Sequence, residues 1–193
     1  MDTNNYALAT DTLGASVIRG AAITDSMTSL GRFHGELLSA TGELKWEGSF
    51  DNLITTQGKN HLLDHGLAGP ASAVAVRMSL ITTGTPVVGD TYSVHGGFTE
   101  LSNTVVSARG TPTFSAASAN VKATSSAVSF SIVGAGTIIG AAINLVAGTV
   151  GNLGVVADTA TASAILYSAG LFGASKIVTP GDTLNVTYSS TLT

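Results

Sequence analysis

The sequence predicts a mainly β protein: an antiparallel β-sandwich of the jelly-roll or Ig-like kind, with one short helix and an extended N-terminal arm. The 193 residues are 44% hydrophobic but only 6% aromatic and 10% charged. Thr, Val and Gly are abundant, and this composition favours short strands and tight turns over packed helices. In the C-terminal half, apolar segments are separated by Gly, Pro, Asn or Asp about every 8–12 residues, which is the spacing of sandwich strands.

The first 31 residues differ from the rest, so we divide the chain into an arm, 1–31, and a sandwich domain, 32–193. The arm is polar and lacks regular alternation. It is compatible with an extended segment that becomes ordered against a neighbouring protein. A short helix over Ala15–Leu30 is equally compatible. The arm shows no basic start followed by an apolar run, so we expect no secretory signal.

The first two strands are predicted to form a hairpin. Arg32–Ala40 and Leu44–Phe50 flank a turn at Thr41 and Gly42. Because side chains alternate along a strand, the second strand has an apolar face and a charged face. The apolar face carries Leu44, Trp46, Gly48 and Phe50, and the charged face carries Glu43, Lys45 and Glu47. We therefore expect one face of the hairpin in the core and the other in water.

One helix is predicted directly after the hairpin. Thr55 or Thr56 can cap its first turn through the side-chain hydroxyl, and Gly66 can end it. The apolar side chains expected to face the core are Leu62, Leu63 and Leu67. No other segment of the sandwich domain shows a helical pattern of this kind.

The remaining strands follow in quick succession. Ala73–Thr82 alternates strongly and is expected to turn one face to the core with Val74, Val76, Met78 and Leu80. A short strand begins at Phe98, after a loop rich in Gly and Pro. Later strands are predicted at about 112–123, 126–134, 136–147, 151–157, 163–167, 174–179 and 182–191. The last two are joined by a turn signal, Thr179-Pro-Gly-Asp.

The stretch Ile132–Ala157 is uncharged and long enough to imitate a membrane span. Its several glycines and β-branched clusters, and the absence of a basic flank, argue against that interpretation. Two buried strands joined by Gly-rich turns explain it better, and we expect no membrane partner.

The available residue types argue against catalysis. Cysteine is absent, which excludes disulfides, thiol catalysis and zinc–thiolate sites. The net charge is −4 with no basic cluster, so the sequence has no nucleic-acid footprint. A G-x-S-x-G nucleophile motif is missing, and Gly134-Ala-Gly136 precedes no helix suited to a dinucleotide, so we interpret it as a strand turn. We expect a non-enzymatic protein with no catalytic residues and no cofactor.

Two groups of residues imitate functional sites. His61 and His65, at i and i+4 of the predicted helix, could bind one metal ion with Asp64 or His95 as a third ligand. Polar helix surface is the simpler interpretation, and we expect no metal site. A glycosidase-like carboxylate pair could be chosen among three glutamates, but these fit the wet face of the hairpin better: Glu36, Glu43 and Glu47.

The aromatic residues are too scattered to form a sugar-stacking platform by themselves. Most are expected to be core or interface anchors: Trp46, Tyr92, Phe98, Tyr167 and Phe172. The loop over 83–98, with Tyr92 and His95, is the one segment that could serve a glycan-binding function.

Three blocks of the chain resemble a recurring pattern in structural proteins of tailed-bacteriophage virions. The first is Glu36–Asp64, in which Asn52-Leu-Ile-Thr precedes Gly58-Lys-Asn-His-Leu-Leu-Asp. The second runs from Met78 through Glu100, and the third from Ile165 to Tyr188. The order and spacing of the blocks, which span about 33–193, are more specific than any single block.

The resemblance implies a non-enzymatic virion component with a β-sandwich, often trimeric. Such proteins include capsid cement or decoration proteins and tail or head-fibre proteins that recognise a host surface glycan. The expected partners are the major capsid protein and further copies of this chain, on the capsid surface after synthesis in the host cytoplasm. The resemblance carries over no catalytic, cofactor-binding or metal-binding residue, and residues 1–31 lie outside the shared pattern.

Overall fold

The fold was analysed in a computed structural model that describes residues 28–67, 74–94, 96–147 and 164–193. The described chain is mainly β, with one helix. Its elements in order are β1 (Ser29–Leu38), β2 (Leu44–Ile54), α1 (Thr56–Leu67), β3 (Val74–Gly84), β4 (Phe98–Glu100), β5 (Val121–Ala123), β6 (Val128–Ser131), β7 (Gly136–Ala147), β8 (Ile165–Val178) and β9 (Thr183–Leu192).

The predicted hairpin is confirmed. β1 and β2 pair antiparallel from Gly31 opposite Asn52 to Leu38 opposite Leu44. The turn contains Gly42 at φ 84°, a conformation that glycine adopts without a steric cost. The faces also divide as predicted, although the first apolar residue, Leu44, is exposed next to the hairpin turn.

The Trp46 ring leaves no room for a side chain at two positions in the middle of this hairpin, and both positions are glycine. Gly35 and Gly48 are directly opposite each other in the β1–β2 register. A Cβ atom at Gly35 would lie 2.8 Å from the Trp46 ring, and one at Gly48 would lie 2.9 Å from it. The indole therefore lies flat over the two glycines, on the face that points to the core.

The strands form one antiparallel sheet in the order β4-β3-β7-β8-β2-β1-β9-β5, and β6 also pairs with β9. The sheet folds into two facing layers because β8 and β2 are joined over a short length. They share a register only from Asn52 opposite Gly170 to Ile54 opposite Ser168. β4, β3, β7 and β8 form one layer, and β2, β1, β9, β5 and β6 form the other. The arrangement is consistent with the predicted β-sandwich.

The segment after β4 closes the other side of the sandwich. Gly110 makes a bridge with Met78 of β3, and Val106 makes one with Ile132 at the end of β6. Backbone hydrogen bonds support both bridges, including Met78 N to Gly110 O at 2.9 Å and Val133 N to Val105 O at 2.8 Å. The same segment therefore touches both layers.

The main core lies between the layers and draws residues from both. Phe33, Leu184 and Val186 come from one layer, and Met78 and Ile143 from the other. Aromatic rings contact one another in sequence through this core, with centroids 4.7–6.5 Å apart: Trp46, Phe172, Phe50, Phe33, Tyr188 and Phe114. Such ring pairs stabilise a core beyond the area that they bury.

A second, smaller core lies on the outer face of β3, β7 and β8. Ile81, Leu166 and Val146 belong to it. Tyr92, in the loop before β4, and Phe98, at the start of β4, cover it. β3 is therefore buried on both faces, whereas the sequence predicted one buried face. The alternation of Val76, Met78 and Leu80 marks the inner face correctly, but Ser79 and Ile81 are also buried.

α1 begins as predicted. The Thr55 hydroxyl accepts a hydrogen bond from Gly58 N at 3.0 Å and donates one to Leu166 O, so Thr55 is the N-cap. The prediction of three inward leucines was wrong for two of them. Leu62 packs against the core, but Leu63 is 49% exposed and Leu67 is 87% exposed. The helix contacts β8 mainly through its first turn, where Gly58 lies directly on the backbone of Tyr167.

Some strand boundaries differ from the predicted ones. The segments predicted at 163–167 and 174–179 belong to one long strand, β8, and the segment at 112–123 is strand only at β5. β1 begins at Ser29, so residues 29–31 pair within the sheet, and the last two residues of the alternative helix over Ala15–Leu30 are strand. Residues 1–27 of the arm and the predicted strand at 151–157 lie outside the described residues. No helix in the described residues is long and apolar enough to span a membrane.

Candidate functional site

The two helix histidines lie side by side. The ring centroids of His61 and His65 are 4.2 Å apart. Burial, and then the neighbouring His65, lower the pKa of His61, with Asp64 opposing them. Within the part of the chain that the structure describes, no group of three or more His, Cys, Asp or Glu residues could hold a metal ion. His95, the alternative third ligand, lies outside that part.

The three glutamates of the hairpin lie on its outer face. Glu36 accepts a hydrogen bond from Asn185 Nδ2 at 3.1 Å, and Glu47 is 3.5 Å from His34 Nε2. Glu43 is exposed at the turn. Glu43 and Glu47 are exposed and Glu36 is half-buried, so the arrangement agrees with the solvated face that was predicted.

The loop proposed for glycan binding holds its tyrosine inward. Tyr92 is 2% exposed, and its hydroxyl accepts a hydrogen bond from Arg109 Nη1 at 2.6 Å. Arg109 also donates from Nε and Nη2 to Glu100 Oε2, at 3.0 and 2.8 Å. Burial by itself lowers the pKa of Arg109, but Glu100 and then Tyr92 outweigh it and raise the pKa. Tyr92 therefore anchors the loop and presents no ring to a sugar.

The other large aromatic residues are also structural. Phe98, Tyr167 and Phe172 are buried, and Trp46 is packed against the main core. This confirms that they are core anchors. Gly134 lies just before β7 and Gly136 begins it, as expected for a strand turn.

The structure brings together one cleft that the sequence did not indicate. It has a volume of about 620 Å³ and lies between α1, the inner face of the sandwich and the segment 114–122. We call it the α1 cleft. Its apolar lining consists of Leu62, Val76, Phe114, Ile143, Leu145 and Leu192. These residues come from five parts of the chain, and each looks like an ordinary core residue in its own segment, so no local pattern could have revealed the cleft.

Apart from His61 on α1, the polar groups of the α1 cleft lie on the side of β9. The Tyr167 hydroxyl and Ser190 Oγ are 3.1 Å apart, and Lys122 lies opposite Ser190 in the β5–β9 register. Tyr188 also lines the cleft. Burial, and then Tyr167, raise the pKa of Tyr188 to about 12, although polar neighbours oppose the shift. The Tyr188 hydroxyl makes no hydrogen bond of normal geometry within the described residues.

A second cleft, of about 400 Å³, lies on the other side of α1. It is lined by Thr28, Ser29, Lys59, Leu62 and Leu63. Thr28 is held there by a pair of backbone hydrogen bonds with Thr193, at 2.7 and 2.9 Å. The arm therefore joins the sandwich beside the exposed leucines of α1. The start of the sandwich domain and the exposed side chain of Leu63 therefore share one surface of the described chain.

Comparisons of the chain with protein-family models, with curated proteins and with solved structures found no match.

Proposed function

We propose that the chain is a non-enzymatic bacteriophage virion protein, most simply a capsid cement or decoration protein. It would bind the exterior of the shell, bridge neighbouring major capsid subunits and act as a homotrimer. The mechanism is linkage: a protein that binds the assembled shell, and not its separated subunits, stabilises the shell by mass action.

The observation that carries the proposal is the exposed apolar surface of α1 beside the start of the arm. Leu63 and Leu67 are exposed on a helix whose other side holds the sandwich. Exposed apolar side chains that group at one place mark protein interaction surfaces more often than isolated ones do. The edges of β4 and β6 add backbone groups that could accept a further strand, whereas the outer edge of β5 already pairs with the segment 113–118.

Two properties of the sequence support the same function. Its resemblance to phage virion proteins covers the whole sandwich domain. Its charged fraction is 10%, well below the usual share of about 25%, and a weakly charged surface resists association poorly, as suits a component of an assembly.

Deletion of the arm tests the proposal. The deletion should end at residue 27, because residues 29–31 pair with β9 and β2 and Thr28 is bonded to Thr193. We expect the shortened protein to fold, with the circular dichroism spectrum of the full chain, and to bind purified capsids at least tenfold more weakly. Undiminished capsid binding would show that the arm is not an adhesive element.

A second variant tests the helix surface. Leu63→Asp combined with Leu67→Asp should also weaken capsid binding, because it places charge on the exposed apolar face. The matched control is Leu44→Asp, which changes a leucine of similar exposure, 56%, at the hairpin turn. Equal effects of the helix variant and the control would exclude α1 as the contact.

The same resemblance also allows an alternative to the cement protein, namely a tail or head-fibre module that recognises a host glycan. The burial of Tyr92 removes its one aromatic candidate in the 83–98 loop. Immunogold labelling of purified particles separates the two functions: label on the shell supports the cement protein, and label on the tail supports the fibre module.

A further inference from the structure

The α1 cleft has the size and the lining of a small-molecule site. Its volume, about 620 Å³, lies within the range of about 300–1,000 Å³ that is usual for ligand pockets. Val76, Ile143 and Leu145 provide an apolar floor from β3 and β7, and Leu62 and Phe114 provide apolar sides. The apolar body of a ligand in the cleft would therefore contact these side chains.

The charge distribution in the cleft is one-sided. Lys122 is its one permanently cationic lining residue, and it makes no ion pair within the described ranges. No Asp or Glu is among the described residues that line the cleft. The hydroxyls of Tyr167 and Ser190 lie on the same side as Lys122. This side can donate hydrogen bonds and attract an anion, whereas the opposite side is mainly apolar and has the His61 imidazole as its polar group.

One wall of the cleft is held in a fixed shape. Ser118 and Val121 exchange backbone hydrogen bonds of 3.0 and 2.9 Å across a two-residue turn, in which Ala119 and Asn120 have φ of 48° and 63°. Leu192 N donates to Asn120 O at 3.0 Å, which ties this turn to the end of β9. A wall that is already ordered loses little conformational entropy when a ligand binds.

We propose that the α1 cleft binds one amphiphilic anion: a molecule with a single aliphatic or aromatic body and a carboxylate or sulfonate head group. The body lies on Val76, Ile143 and Leu145, and the head group lies between Lys122, Ser190 and Tyr167. The binding is separate from attachment to a capsid and does not depend on it.

Fluorescence titration of the full chain tests the proposal. We expect 1-anilinonaphthalene-8-sulfonate to bind saturably, with one site per chain, and dodecanoate to displace it. Dodecanol, which has the same chain without the charge, should compete more weakly. Lys122→Gln should weaken the binding of dodecanoate roughly fivefold, as expected for the loss of an exposed ion pair worth about 1 kcal/mol. It should leave the binding of dodecanol unchanged.

Blocking variants locate the site. Ser190→Phe places a ring in the cleft and should abolish binding of both the dye and dodecanoate. Ser189→Phe is the matched control, since the neighbouring side chain on β9 points to the opposite face, and it should bind both normally. Val76→Trp fills the apolar floor and gives a second blocking variant, which is used if its thermal unfolding remains cooperative.

Three outcomes would overturn the proposal. The first is an absence of saturable binding to the full chain, and the second is binding that neither Ser190→Phe nor Val76→Trp reduces. The third is binding that appears only after residues 1–27 are deleted, because the cleft would then be a site for the chain's own arm.

Discussion

At the scale of single residues, two tyrosines of the α1 cleft differ in the hydrogen bonding of their hydroxyl groups. The hydroxyl of Tyr167 has a partner in Ser190 Oγ, 3.1 Å away, whereas that of Tyr188 has polar neighbours in Asn52, Ser168 and Ser190 but none at normal hydrogen-bond geometry in the described residues. A buried polar group that lacks a partner costs about 1–3 kcal/mol, and a made hydrogen bond contributes about 1 kcal/mol. The two hydroxyls should therefore affect stability in opposite directions.

We predict that Tyr188→Phe leaves the free energy of unfolding at pH 7 unchanged or raises it by up to about 1 kcal/mol. Tyr167→Phe should lower it by about 1 kcal/mol. Urea denaturation at equilibrium measures both. A loss of more than about 1.5 kcal/mol in Tyr188→Phe would show that its hydroxyl is well bonded in the folded protein.

Tyr188 also gives an alkaline pH dependence. Its pKa in the folded protein is raised to about 12 from 10.0. Below pH 10 the Tyr188 hydroxyl is protonated in both the folded and the unfolded state, and its contribution to stability is complete. As the pH rises from 10 to 12, the hydroxyl ionises first in the unfolded chain, and the free energy of unfolding falls by up to roughly 1.4 kcal/mol per pH unit. Tyr188→Phe should reduce this fall, and Tyr167→Phe provides the comparison.

Asp182 makes the stability of the fold depend on pH in acid. The carboxylate, which is 3% exposed, accepts hydrogen bonds from Lys45 Nζ at 2.6 Å and from Thr179 N at 2.9 Å. Burial alone would raise the pKa of Asp182, but the bonds with Lys45 and Thr179 outweigh it and lower the pKa. The stabilisation is therefore present above the unfolded-state pKa, near 4, and is lost as the pH falls below that value.

We predict that Asp182→Asn lowers the free energy of unfolding at pH 7 by about 1–3 kcal/mol, because it leaves Lys45 without its charge partner and weakens the turn. The difference from the unaltered chain should shrink at pH 2–3. Asp51→Asn is the control, since Asp51 forms an exposed ion pair with Arg32. This substitution should change the free energy of unfolding by less than about 1 kcal/mol. A constant difference between pH 7 and pH 2 would contradict the assignment.

At the scale of elements, local turn chemistry accounts for most of what the sequence predicted correctly. Gly42 and the Thr179–Asp182 turn, with Gly181 at φ 91°, both have the glycine that a left-handed position requires. Thr55 caps α1 for an equally local reason. The inward direction of Leu63 and Leu67 was mispredicted because a helical pattern fixes which residues share a face, but not which neighbour covers that face.

The turn at Ala119 is an element that local chemistry did not reveal. An alanine at φ 48° carries a steric cost that glycine or asparagine avoids. We predict that Ala119→Asn raises the free energy of unfolding by roughly 0.5–1 kcal/mol. Ala127→Asn is the control, because Ala127 is exposed and has no positive φ, and it should change stability little. A destabilised Ala119→Asn variant would show that the turn adopts another conformation in solution.

At the scale of the whole molecule, few backbone pairings connect the two layers of the sandwich, although side chains of both layers pack in the main core. β2 and β8 share three residue pairs, and the segment around Gly110 supplies the contact on the other side. A Cβ atom at Gly110 would overlap Val128 and lie 2.9 Å from Cζ of Phe130. The backbone can cross between the layers here because this residue has no side chain.

We predict that Gly110→Ala lowers the free energy of unfolding by about 1–3 kcal/mol, as overpacking of a filled core does. Gly173→Ala is the matched control, since a Cβ atom at that strand position would have no neighbour within 4 Å. Guanidinium denaturation measures both variants. Equal midpoints for the two would contradict the tight crossing at Gly110.

The sequence by itself determined the β class, the hairpin of β1 and β2, the N-cap of α1 and the final turn. These features depend on side-chain alternation and on turn residues, which act over a few positions. Only the tertiary structure decided that β3 is buried on both faces, that β8 is one long strand, and that Tyr92 points inward to Arg109. It alone also assembled the α1 cleft, whose lining runs from His61 to Leu192. Contacts between segments so far apart are set by how the layers close, and they leave no periodic pattern in any one segment.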